Sequence, residues 1–364
     1  FLNKSIFFYL GIEALVSEDD FKLELGVIKH IEMANWCDLF VICPVSANTV
    51  SHLACGITKD LGTTVFLALP EKTPKILFPA MNTKMLDNSI IIQNLDRLLT
   101  IPNLSILPTK HGELACGETG EGKLLDIEHI QSIISLWPLS KTKGKVLIST
   151  GASISPLDDV RYLTNPASGK TGLEMAEKFL KKGFLVSVIA GTGSCHLFEK
   201  FKHHPRFKLV PAQTNQDFLE ATKEEMSDSN LFISAAAICD IGFDYKKGKI
   251  KKNQLEGSLY IRRTCDVLKE MLKYKKPSQV FVGFAAEAEL SFEVLETKWE
   301  SKKVDILVGT EVNSGTSNNG QAIGFKADQA NYKIYENNDI SFSGLLSKSQ
   351  LSDLIYEKVS RWLN

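Results

Sequence analysis

Short runs of apolar residues alternate with amphipathic stretches along most of the chain. In the first half, residues 39–43 and 64–69 are apolar runs bounded by turn-forming residues, which predicts two buried strands. Residues 47–55 and 84–98 carry the periodicity of helices. Because strands that alternate with helices form parallel sheets with crossover helices, the pattern predicts an α/β domain.

The second half repeats this alternation. Helical periodicity covers residues 169–182, 216–227, 291–302 and 346–362. Five apolar runs predict buried parallel strands, at residues 146–150, 185–189, 231–234, 280–284 and 305–308. We therefore expect a doubly wound sheet whose ligand binds at the carboxyl ends of the strands.

A break in the pattern separates the two halves. Residues 136–145 combine a Trp-Pro pair with lysines around a glycine, which is typical of a linker. The length of 364 residues suits two domains. We therefore expect two doubly wound parallel-sheet domains, residues 1–138 and 139–364.

Composition narrows the class of protein. A formal net charge of -1 gives no general attraction to nucleic acid or to an anionic membrane. The longest apolar opening, residues 6–10, is too short to span a bilayer. Seven cysteines at irregular spacing suit a reducing compartment better than a disulfide framework, so we expect a cytoplasmic protein. Three histidines near Cys195 show no convincing metal-ligand spacing.

Polar side chains follow the first-half strands where ligands bind to such sheets. Ser46, Asn48 and Thr49 come directly after the strand at 39–43, where they can cap the next helix or hold a ligand. The segment 79–82 (Pro-Ala-Met-Asn) is a second, nearly charge-free loop of this kind. Two such loops at one sheet edge indicate a site for a ring-shaped cofactor or its substrate.

A thiol flanked by small residues is the strongest sign of chemistry in the first half. Cys116 lies between Ala115 and Gly117, in a segment that also contains Gly120 and Gly122. Buried cysteines usually only pack, but glycine-rich backbone can move and approach a ligand closely. We therefore expect Cys116 to take part in a reaction.

These motifs resemble the flavin-containing cysteine decarboxylases, in particular the decarboxylase half of the bifunctional phosphopantothenoylcysteine synthetase/decarboxylases of coenzyme A biosynthesis. The resemblance implies a flavodoxin-like or Rossmann-like flavoprotein domain with FMN. It implies that Asn82 contacts the substrate carboxylate and that Cys116 delivers a proton after decarboxylation. The residues implied to bind FMN are Ser46, Asn48, Thr49 and Met81, and those implied to bind substrate are Ala115 and Gly117.

A histidine extends the resemblance toward the amino terminus. His30 lies in residues 26–38, which resemble the histidine-bearing helix of that family. A lone histidine is more often structural, but this position favours a catalytic role. The resemblance implies that His30 is the active-site base, which its near-neutral titration range permits.

The resemblance also makes the start of the chain informative. In that family the first strand, the turn that holds the flavin phosphate and the second strand precede the segment matched by Phe1. We therefore expect either an amino-terminally truncated form of a longer protein or a degraded first domain. Flavin affinity is expected to be reduced in both cases.

A predicted anion site lies at the start of a helix in the second half. Ser168, Gly169 and Lys170 combine free backbone donors, the favourable end of a helix dipole and an ammonium group. A P-loop is excluded because Thr164 replaces the first glycine of that motif. The segment 191–193 (Gly-Thr-Gly) lacks the third glycine of a dinucleotide motif, so we expect a turn.

Other charged groups in this half have two interpretations each. Asp240 can cap a helix or accept a hydrogen bond from a nucleotide. Lys249 can belong to a solvated run of charges or cover a triphosphate. Lys298 and Lys302 are one helical turn apart and can reach phosphate from one face. Basic groups near strand ends of a near-neutral protein indicate a polyanionic small molecule.

This half resembles the synthetase half of the same enzymes. Arg161 and Asn165 match its Val-Arg-x-x-x-Asn motif, and the asparagine is implied to act on an acyl-nucleotide. The implied co-substrate is CTP with Mg²⁺, whose protein ligands stay unknown, and Lys249 is implied to stabilise developing charge. The implied nucleotide-binding residues are Ala236, Ala237, Asp240, Lys249, Phe284, Lys298 and Lys302, and the implied substrate-binding residues are Arg161, Ser168, Gly169 and Lys170.

The resemblance implies a bifunctional enzyme that ligates phosphopantothenate to cysteine through an acyl-cytidylate and then decarboxylates the product to phosphopantetheine. One alternative is a regulatory protein of the halotolerance type, which uses the flavoprotein fold to bind a partner and in which Cys116 and Lys249 are dispensable. A nicotinamide-dependent reductase is disfavoured by the incomplete glycine pattern. By analogy with the family, we expect a homo-oligomer.

Overall fold

The computed structural model describes residues 28–137, 142–251, 259–312 and 327–363. The chain divides into two units, Phe1–Ile130 and Gln131–Asn364. The division falls inside a helix, Ile127–Ser135, just before the predicted boundary at residues 138 and 139. No helix in the described ranges is long and apolar enough to cross a membrane.

Helices surround a small parallel sheet in the first unit. Its elements are, in chain order, α1 (Lys29–Trp36), β1 (Phe40–Val45), α2 (Ala47–Cys55), α3 (Leu61–Ala68), β2 (Lys75–Pro79), α4 (Thr83–Leu86), α5 (Ser89–Leu99), β3 (Leu104–Ile106), β4 (Lys110–Glu113), β5 (Thr119–Lys123) and α6 (Ile127–Ser135). The strands β1, β2 and β3 pair in that order and run parallel. This confirms the predicted α/β character.

The predicted strand at residues 64–69 is wrong, because these residues lie mostly in the helix α3. Asp60 starts that helix: its Oδ1 accepts from the backbone N–H of Thr63, whose hydroxyl accepts in return from the N–H of Asp60. A short apolar run suits a buried helix as well as a buried strand, so the cap decides between them. The strand that pairs with β1 is β2, which the sequence pattern did not reveal.

Two other first-unit elements differ in detail from the expectation. The predicted helix at 84–98 is interrupted, since Asn88 caps a new helix with its side chain on the N–H of Ile90. The glycine-rich segment around Cys116 is an antiparallel hairpin of β4 and β5. The thiol therefore lies at the end of a β-hairpin.

The second unit contains a larger sheet. Its elements are β6 (Lys145–Thr150), β7 (Ile154–Pro156), β8 (Tyr162–Thr164), α7 (Lys170–Lys181), β9 (Leu185–Gly191), a 3₁₀ helix (Thr192–Phe201), β10 (Phe207–Ala212), α8 (Asn215–Met226), β11 (Leu231–Ser234), β12 (Ile241–Phe243), β13 (Ile261–Arg263), α9 (Val267–Leu272), β14 (Val280–Glu287), α10 (Phe292–Lys302), β15 (Ile306–Glu311), β16 (Gln329–Glu336), β17 (Asp339–Ser347) and α11 (Lys348–Ser360).

The order of the strands defines where a ligand can bind. The sheet runs β10-β9-β6-β11-β14-β15-β16-β17, and the strands from β10 to β15 are parallel. This is the doubly wound order, with a topological switch point between β6 and β11. All five predicted strands are present, and β10 joins them at one edge. The carboxyl ends of β6 and β11 therefore border the expected crevice.

Two apolar cores cover the two faces of this sheet. One core contains Met175 and Phe179 of α7 with Leu351 and Ile355 of α11. The other contains Phe218 of α8, together with residues of α9 and α10. The antiparallel strands β16 and β17, which were not predicted, bring α11 beside α7. Both helices begin at the same edge of the sheet as the switch point.

Candidate active sites

A thiol and an amide that are far apart in sequence meet in the first unit. Asn82 caps α4, and its Nδ2 donates to Cys116 Sγ at 3.1 Å and to Glu118 Oε2 at 3.1 Å. Its Oδ1 accepts from the N–H of Lys84, which fixes the orientation of the amide. The loop after β2 and the hairpin thus form one polar site around an exposed thiol.

The hairpin is held against the 79–82 loop by backbone contacts. The N–H of Met81 donates to the carbonyl of Gly122 at 3.0 Å, and Thr83 Oγ1 donates to the carbonyl of Glu121 at 2.5 Å. Gly122 has a φ of +117°, and a Cβ placed on it would lie 2.1 Å from the Met81 carbonyl oxygen. Only glycine permits this close approach, so Gly122 sets the position of the thiol.

A carboxylate completes the thiol site. Glu118 accepts from Lys84 Nζ at 2.8 Å and from Asn82, and its Oε2 lies 3.8 Å from Cys116 Sγ. The hydrogen bond from Lys84, followed by that from Asn82, lowers the pKa of Glu118. Glu118 is therefore ionised, and Asn82 already binds a carboxylate in this structure.

The predicted flavin-binding residues lie at the ends of two adjacent strands. The N–H of Ala80 donates to the carbonyl of Val45 at 3.1 Å, which ties the 79–82 loop to the end of β1. Ser46 caps α2 by accepting from the N–H of Thr49, so the capping role is present. Met81 follows the neighbouring strand. These neutral groups suit a heteroaromatic ring. The turn that is expected to hold the flavin phosphate would precede Phe1 and is not among the described residues.

A cavity of about 530 Å³ lies at the switch point of the second unit. It is bordered by the carboxyl ends of β6, β11, β14 and β15 and by the start of α7. The predicted residues that line it are Asn165, Ser168, Gly169, Ala236, Ala237, Asp240, Phe284, Lys298 and Lys302. Residues from four separate strand ends are thus brought together around one space.

Asn165 connects two walls of this cavity. Its Nδ2 donates to the carbonyls of Ala237 at 3.2 Å and Ile238 at 3.1 Å. The same loop is bound from the other side, because the N–H of Ala237 donates to the carbonyl of Gly151 at 2.8 Å. Asn165 therefore positions the loop after β11 while lining the site itself.

Carboxylates partner the two lysines of α10. Lys298 Nζ pairs with Glu287, and Lys302 Nζ lies 3.8 Å from Asp266 Oδ2. Both ammonium groups belong to the cavity wall, and Asp266 lies beside them. An anionic ligand at this end therefore competes with protein carboxylates for the same cations.

Arg161 and Lys249 belong to a neighbouring structure rather than to the cavity wall. Arg161 Nη2 donates to the carbonyl of Ile250 at 3.1 Å, and Asp158 Oδ2 accepts from the N–H of Ile250. Burial raises the pKa of Asp158, but backbone donors from Val160, Ile250 and Arg161 outweigh it and lower the pKa. The turn that contains Arg161 therefore anchors the segment of the exposed Lys249.

The remaining predicted residues are placed as follows. His30 lies half-buried in the first turn of α1, and Ala115 and Gly117 flank the thiol at the end of the hairpin. Asn48 is exposed at the start of α2, and Lys170 Nζ pairs with Asp328 at 2.7 Å. The role of His30 as the active-site base stays a prediction.

Sequence reasoning missed several residues of the cavity. Burial raises the pKa of Tyr332 to about 12, so its hydroxyl stays protonated at the cavity wall. Lys348 and Thr310 line the same space. The Ser347-x-x-Gln350 capping box marks the start of α11, but only the unpredicted strands β16 and β17 bring it to the site. Within the described ranges, no cluster of His, Cys, Asp or Glu is arranged to hold a metal ion.

The fold and the two sites define a two-domain α/β protein with an exposed thiol beside an amide in one unit and a cavity at the switch point of the other. Residues 8–137 match the family model described as flavoprotein, and residues 141–363 match the DNA/pantothenate metabolism flavoprotein C-terminal domain. The coenzyme A biosynthesis bifunctional protein CoaBC of Bacillus subtilis is 33% identical over 90% of this chain and 81% of its own length. That of Haemophilus influenzae is 31% identical over 92% and 80%. The chain belongs to the family of coenzyme A biosynthesis bifunctional proteins.

A solved structure supports the fold of the second unit. The DNA/pantothenate metabolism flavoprotein from Streptococcus pneumoniae superposes with a TM-score of 0.50 at 19% identity, over 60% of this chain and 99% of that one. A sequence identity at this level supports the fold alone. The doubly wound architecture predicted from the sequence is thereby confirmed.

Proposed function

We propose that this chain joins phosphopantothenate to cysteine with CTP and then decarboxylates phosphopantothenoylcysteine to phosphopantetheine. The observation that carries the proposal is the convergence of nine of the twelve predicted synthetase residues on one cavity at the switch point. The contact between Asn82 and Cys116 adds a second site in the same chain. Membership of the bifunctional family supports both activities.

The ligation is proposed to occur in two steps. A carboxylate oxygen of phosphopantothenate attacks the α-phosphorus of CTP, and the bond to the leaving pyrophosphate breaks. The amine of cysteine then attacks the acyl carbon, loses a proton and displaces CMP to leave an amide. Lys298 and Lys302 can offset phosphate charge, and Asn165 can hold the acyl-nucleotide against the loop after β11.

Mg²⁺ is proposed to accompany the nucleotide. It usually keeps several waters and is bound through substrate phosphates with one or two carboxylates, so the site does not need a cluster of protein ligands. Asp240 and Asp266 both line the cavity. Either carboxylate is available to a magnesium ion that arrives with the triphosphate.

The decarboxylation is proposed to use FMN. When bound, FMN would supply the reversible oxidation of the substrate thiol that makes loss of carbon dioxide feasible. The neutral groups of Ser46, Asn48 and Thr49 after β1 and of Met81 after β2 would hold its ring. Cys116 would deliver a proton to the decarboxylated product, and His30 would act as base.

The Asn82 amide is suited to the substrate carboxylate. In the structure it donates to the carboxylate of Glu118, which shows that it accepts such a partner. A neutral donor binds a carboxylate without the strong charge stabilisation of a salt bridge. The stabilisation by a salt bridge would be lost when carbon dioxide leaves, so a salt bridge would oppose the reaction. We propose that the substrate carboxylate replaces Glu118 at Asn82 Nδ2.

The proposed function is tested by supplying the substrates separately. The protein is incubated with phosphopantothenate, cysteine, Mg²⁺ and one nucleoside triphosphate at a time, and pyrophosphate is measured. We expect release that depends on phosphopantothenate and is fastest with CTP. Absence of release with every nucleotide would remove the ligase half. Carbon dioxide release from added phosphopantothenoylcysteine, with FMN in the buffer, tests the other half independently.

A glycine substitution separates the two activities. Gly122→Ala places a Cβ against the Met81 carbonyl, so the hairpin must shift and carry Cys116 with it. Since a displacement of about 1 Å can cost about 100-fold in rate, we expect a loss of that order in decarboxylation with ligation unchanged. Gly112→Ala is the matched control, because its Cβ would meet only the flexible Lys123 side chain. Equal decarboxylation rates in the two variants would contradict this role of Gly122.

We further propose a cytoplasmic homo-oligomer. All seven cysteines are free thiols in the structure, which suits a reducing compartment. The two small ribbons β7-β8 and β12-β13 carry exposed apolar side chains, namely Tyr162, Leu163, Ile241 and Ile261. Contiguous exposed apolar surface is typical of subunit contacts.

A further inference from the structure

Lys348 is a buried cation on the wall of the second-unit cavity. It is the first residue of α11, and only 6% of its surface is exposed. Lysine is rarely buried to this extent without a charged partner, because removing an ammonium group from water is costly. The partners of its Nζ atom therefore decide what this lysine does.

The only described partner of this ammonium group is neutral. Lys348 Nζ donates to the backbone carbonyl of Ala327, and none of the described carboxylates lies within 4 Å of it. The nearby Asp328 carboxylate pairs with Lys170 Nζ instead. Burial lowers the pKa of Lys348, and the charge of Asp328 opposes this only in part. A buried ammonium group without a bonded anion, on the wall of a cavity, is suited to an anionic ligand in that cavity.

The amino terminus of α7 lies at the same cavity. Ser168 and Gly169 line the cavity and precede the first residue of this 12-residue helix. Gly169 has a φ of +81°, and a Cβ on it would lie 2.6 Å from the Ser194 side chain, so glycine is required for the helix to begin here. The backbone donors of this helix start suit an anion.

We propose that Lys348 and the amino terminus of α7 form a phosphate subsite of the ligase, in which Lys348 binds a phosphate group of a substrate. This inference rests on the proposed ligase function. The Ala327 carbonyl holds the ammonium group in place until the phosphate binds. The new charge-assisted hydrogen bond then supplies the anion that the buried cation lacks.

The position of Lys348 distinguishes it from the lysines of α10. Lys298 and Lys302 belong to the helix layer on one face of the sheet, whereas α7 and α11 form the layer on the other. The cavity therefore has cations at two opposite walls, and only Lys348 lacks a carboxylate partner among them. Two separated cationic walls suit two anionic groups, such as the triphosphate and the phosphate of the acid substrate.

The test uses Lys348→Met in the full chain, with Lys358→Met as the matched control on the same helix. Lys358 pairs with Glu336, which keeps Arg361 as a second partner after the change. Binding of pyrophosphate and of phosphopantothenate is measured by calorimetry, with pantothenate as the ligand that lacks phosphate. We expect Lys348→Met to raise the dissociation constant of one phosphate ligand about tenfold or more, and that of pantothenate not at all.

The two phosphate ligands identify the source of the bound group. A weaker affinity for pyrophosphate assigns Lys348 to the triphosphate, and a weaker affinity for phosphopantothenate assigns it to the acid substrate. Unchanged affinity for both, or binding of neither ligand by the wild type, overturns the subsite. Failure of the ligase function is distinguishable, because phosphate binding that depends on Lys348 would then persist without any pyrophosphate release.

Thermal unfolding separates this role from a merely structural one. Replacing a buried, poorly paired cation with an apolar side chain of similar volume is often neutral or stabilising. We therefore expect Lys348→Met to unfold at the wild-type temperature or above without ligand, and to show a smaller upward shift with the phosphate ligand than Lys358→Met shows. A lower unfolding temperature without ligand, combined with an unchanged ligand shift, would assign Lys348 to anchoring Ala327 alone.

Discussion

Cys116→Ser is expected to stop the formation of phosphopantetheine while ligation continues at the wild-type rate. The thiol contacts Asn82 and is proposed to return a proton to the decarboxylated product. Proton transfer by a positioned side chain contributes about 100-fold to 10,000-fold, so a loss in this range is expected. Carbon dioxide should still be released, and a product lighter than phosphopantetheine by two hydrogens should accumulate. Mass spectrometry of the reaction mixture measures both species.

A matched cysteine tests whether the effect belongs to this thiol. Cys55 is also exposed and in the same unit, at the carboxyl end of α2, and Cys55→Ser should leave both activities unchanged. The ligase rate of each variant reports whether the chain is folded. Normal phosphopantetheine formation by Cys116→Ser would contradict the proposed role of this thiol.

Asn165→Ala is expected to lower ligation by about 100-fold or more. Its amide donates to the carbonyls of Ala237 and Ile238 and lines the cavity, so the change removes both a loop contact and the donor that is proposed to hold the acyl-nucleotide. Loss of one well-placed donor to a reacting group typically costs about 100-fold to 1,000-fold in rate. Pyrophosphate release is measured with and without cysteine, because acyl-nucleotide formation alone needs no cysteine.

Asn215 provides the control for this substitution. Its Nδ2 also makes two hydrogen bonds, to Thr264 Oγ1 at 3.0 Å and to the Cys265 carbonyl at 2.8 Å, but it lines a different, smaller cavity of about 320 Å³. We expect Asn215→Ala to keep ligation within a few fold of wild type. A comparable loss in both variants would show that Asn165 acts through general stability. Wild-type pyrophosphate release by Asn165→Ala would refute its proposed role.

The parallel strands of the second unit could be predicted because they are buried on both faces. Residues 231–234 and 280–284, for example, are continuous apolar runs, since each strand is covered by helices on either side. The strands β16 and β17 escaped prediction because they are antiparallel and lie at the edge. In β17, half-buried side chains alternate with exposed ones, and polar residues such as Ser341 and Ser343 interrupt the apolar pattern.

The first unit shows where local pattern is ambiguous. Residues 64–69 are as apolar as a buried strand, but the Asp60 and Thr63 pair starts a helix there. The true strand β2 begins with Lys75 and ends with Pro79, two residues that are unusual in strands. Lys75 is buried because its Nζ donates to the carbonyls of Glu71 and Thr73. A local backbone contact thus allows a lysine where the pattern predicts none.

Candidate site residues could be named from the sequence, but their arrangement in space could be predicted only in part. A loop expected at the end of a strand suggested Asn82, the small residues around the thiol suggested Cys116, and the family's Val-Arg-x-x-x-Asn motif suggested Asn165. The contact of Glu118 with Asn82 and the burial of Lys348 depend on contacts between segments distant in sequence. No local spacing encodes such contacts.

The hairpin β16-β17 and the helix α11 limit how far this polypeptide can be shortened. A chain ending near residue 328 would keep the parallel strands but lose Ile334, Leu351 and Ile355. It would thereby uncover Met175, Phe179 and Val308, which belong to the same core. Such a deletion would expose an apolar surface and make the shortened protein prone to aggregation. Affinity tags and fusion partners should therefore leave β16, β17 and α11 complete.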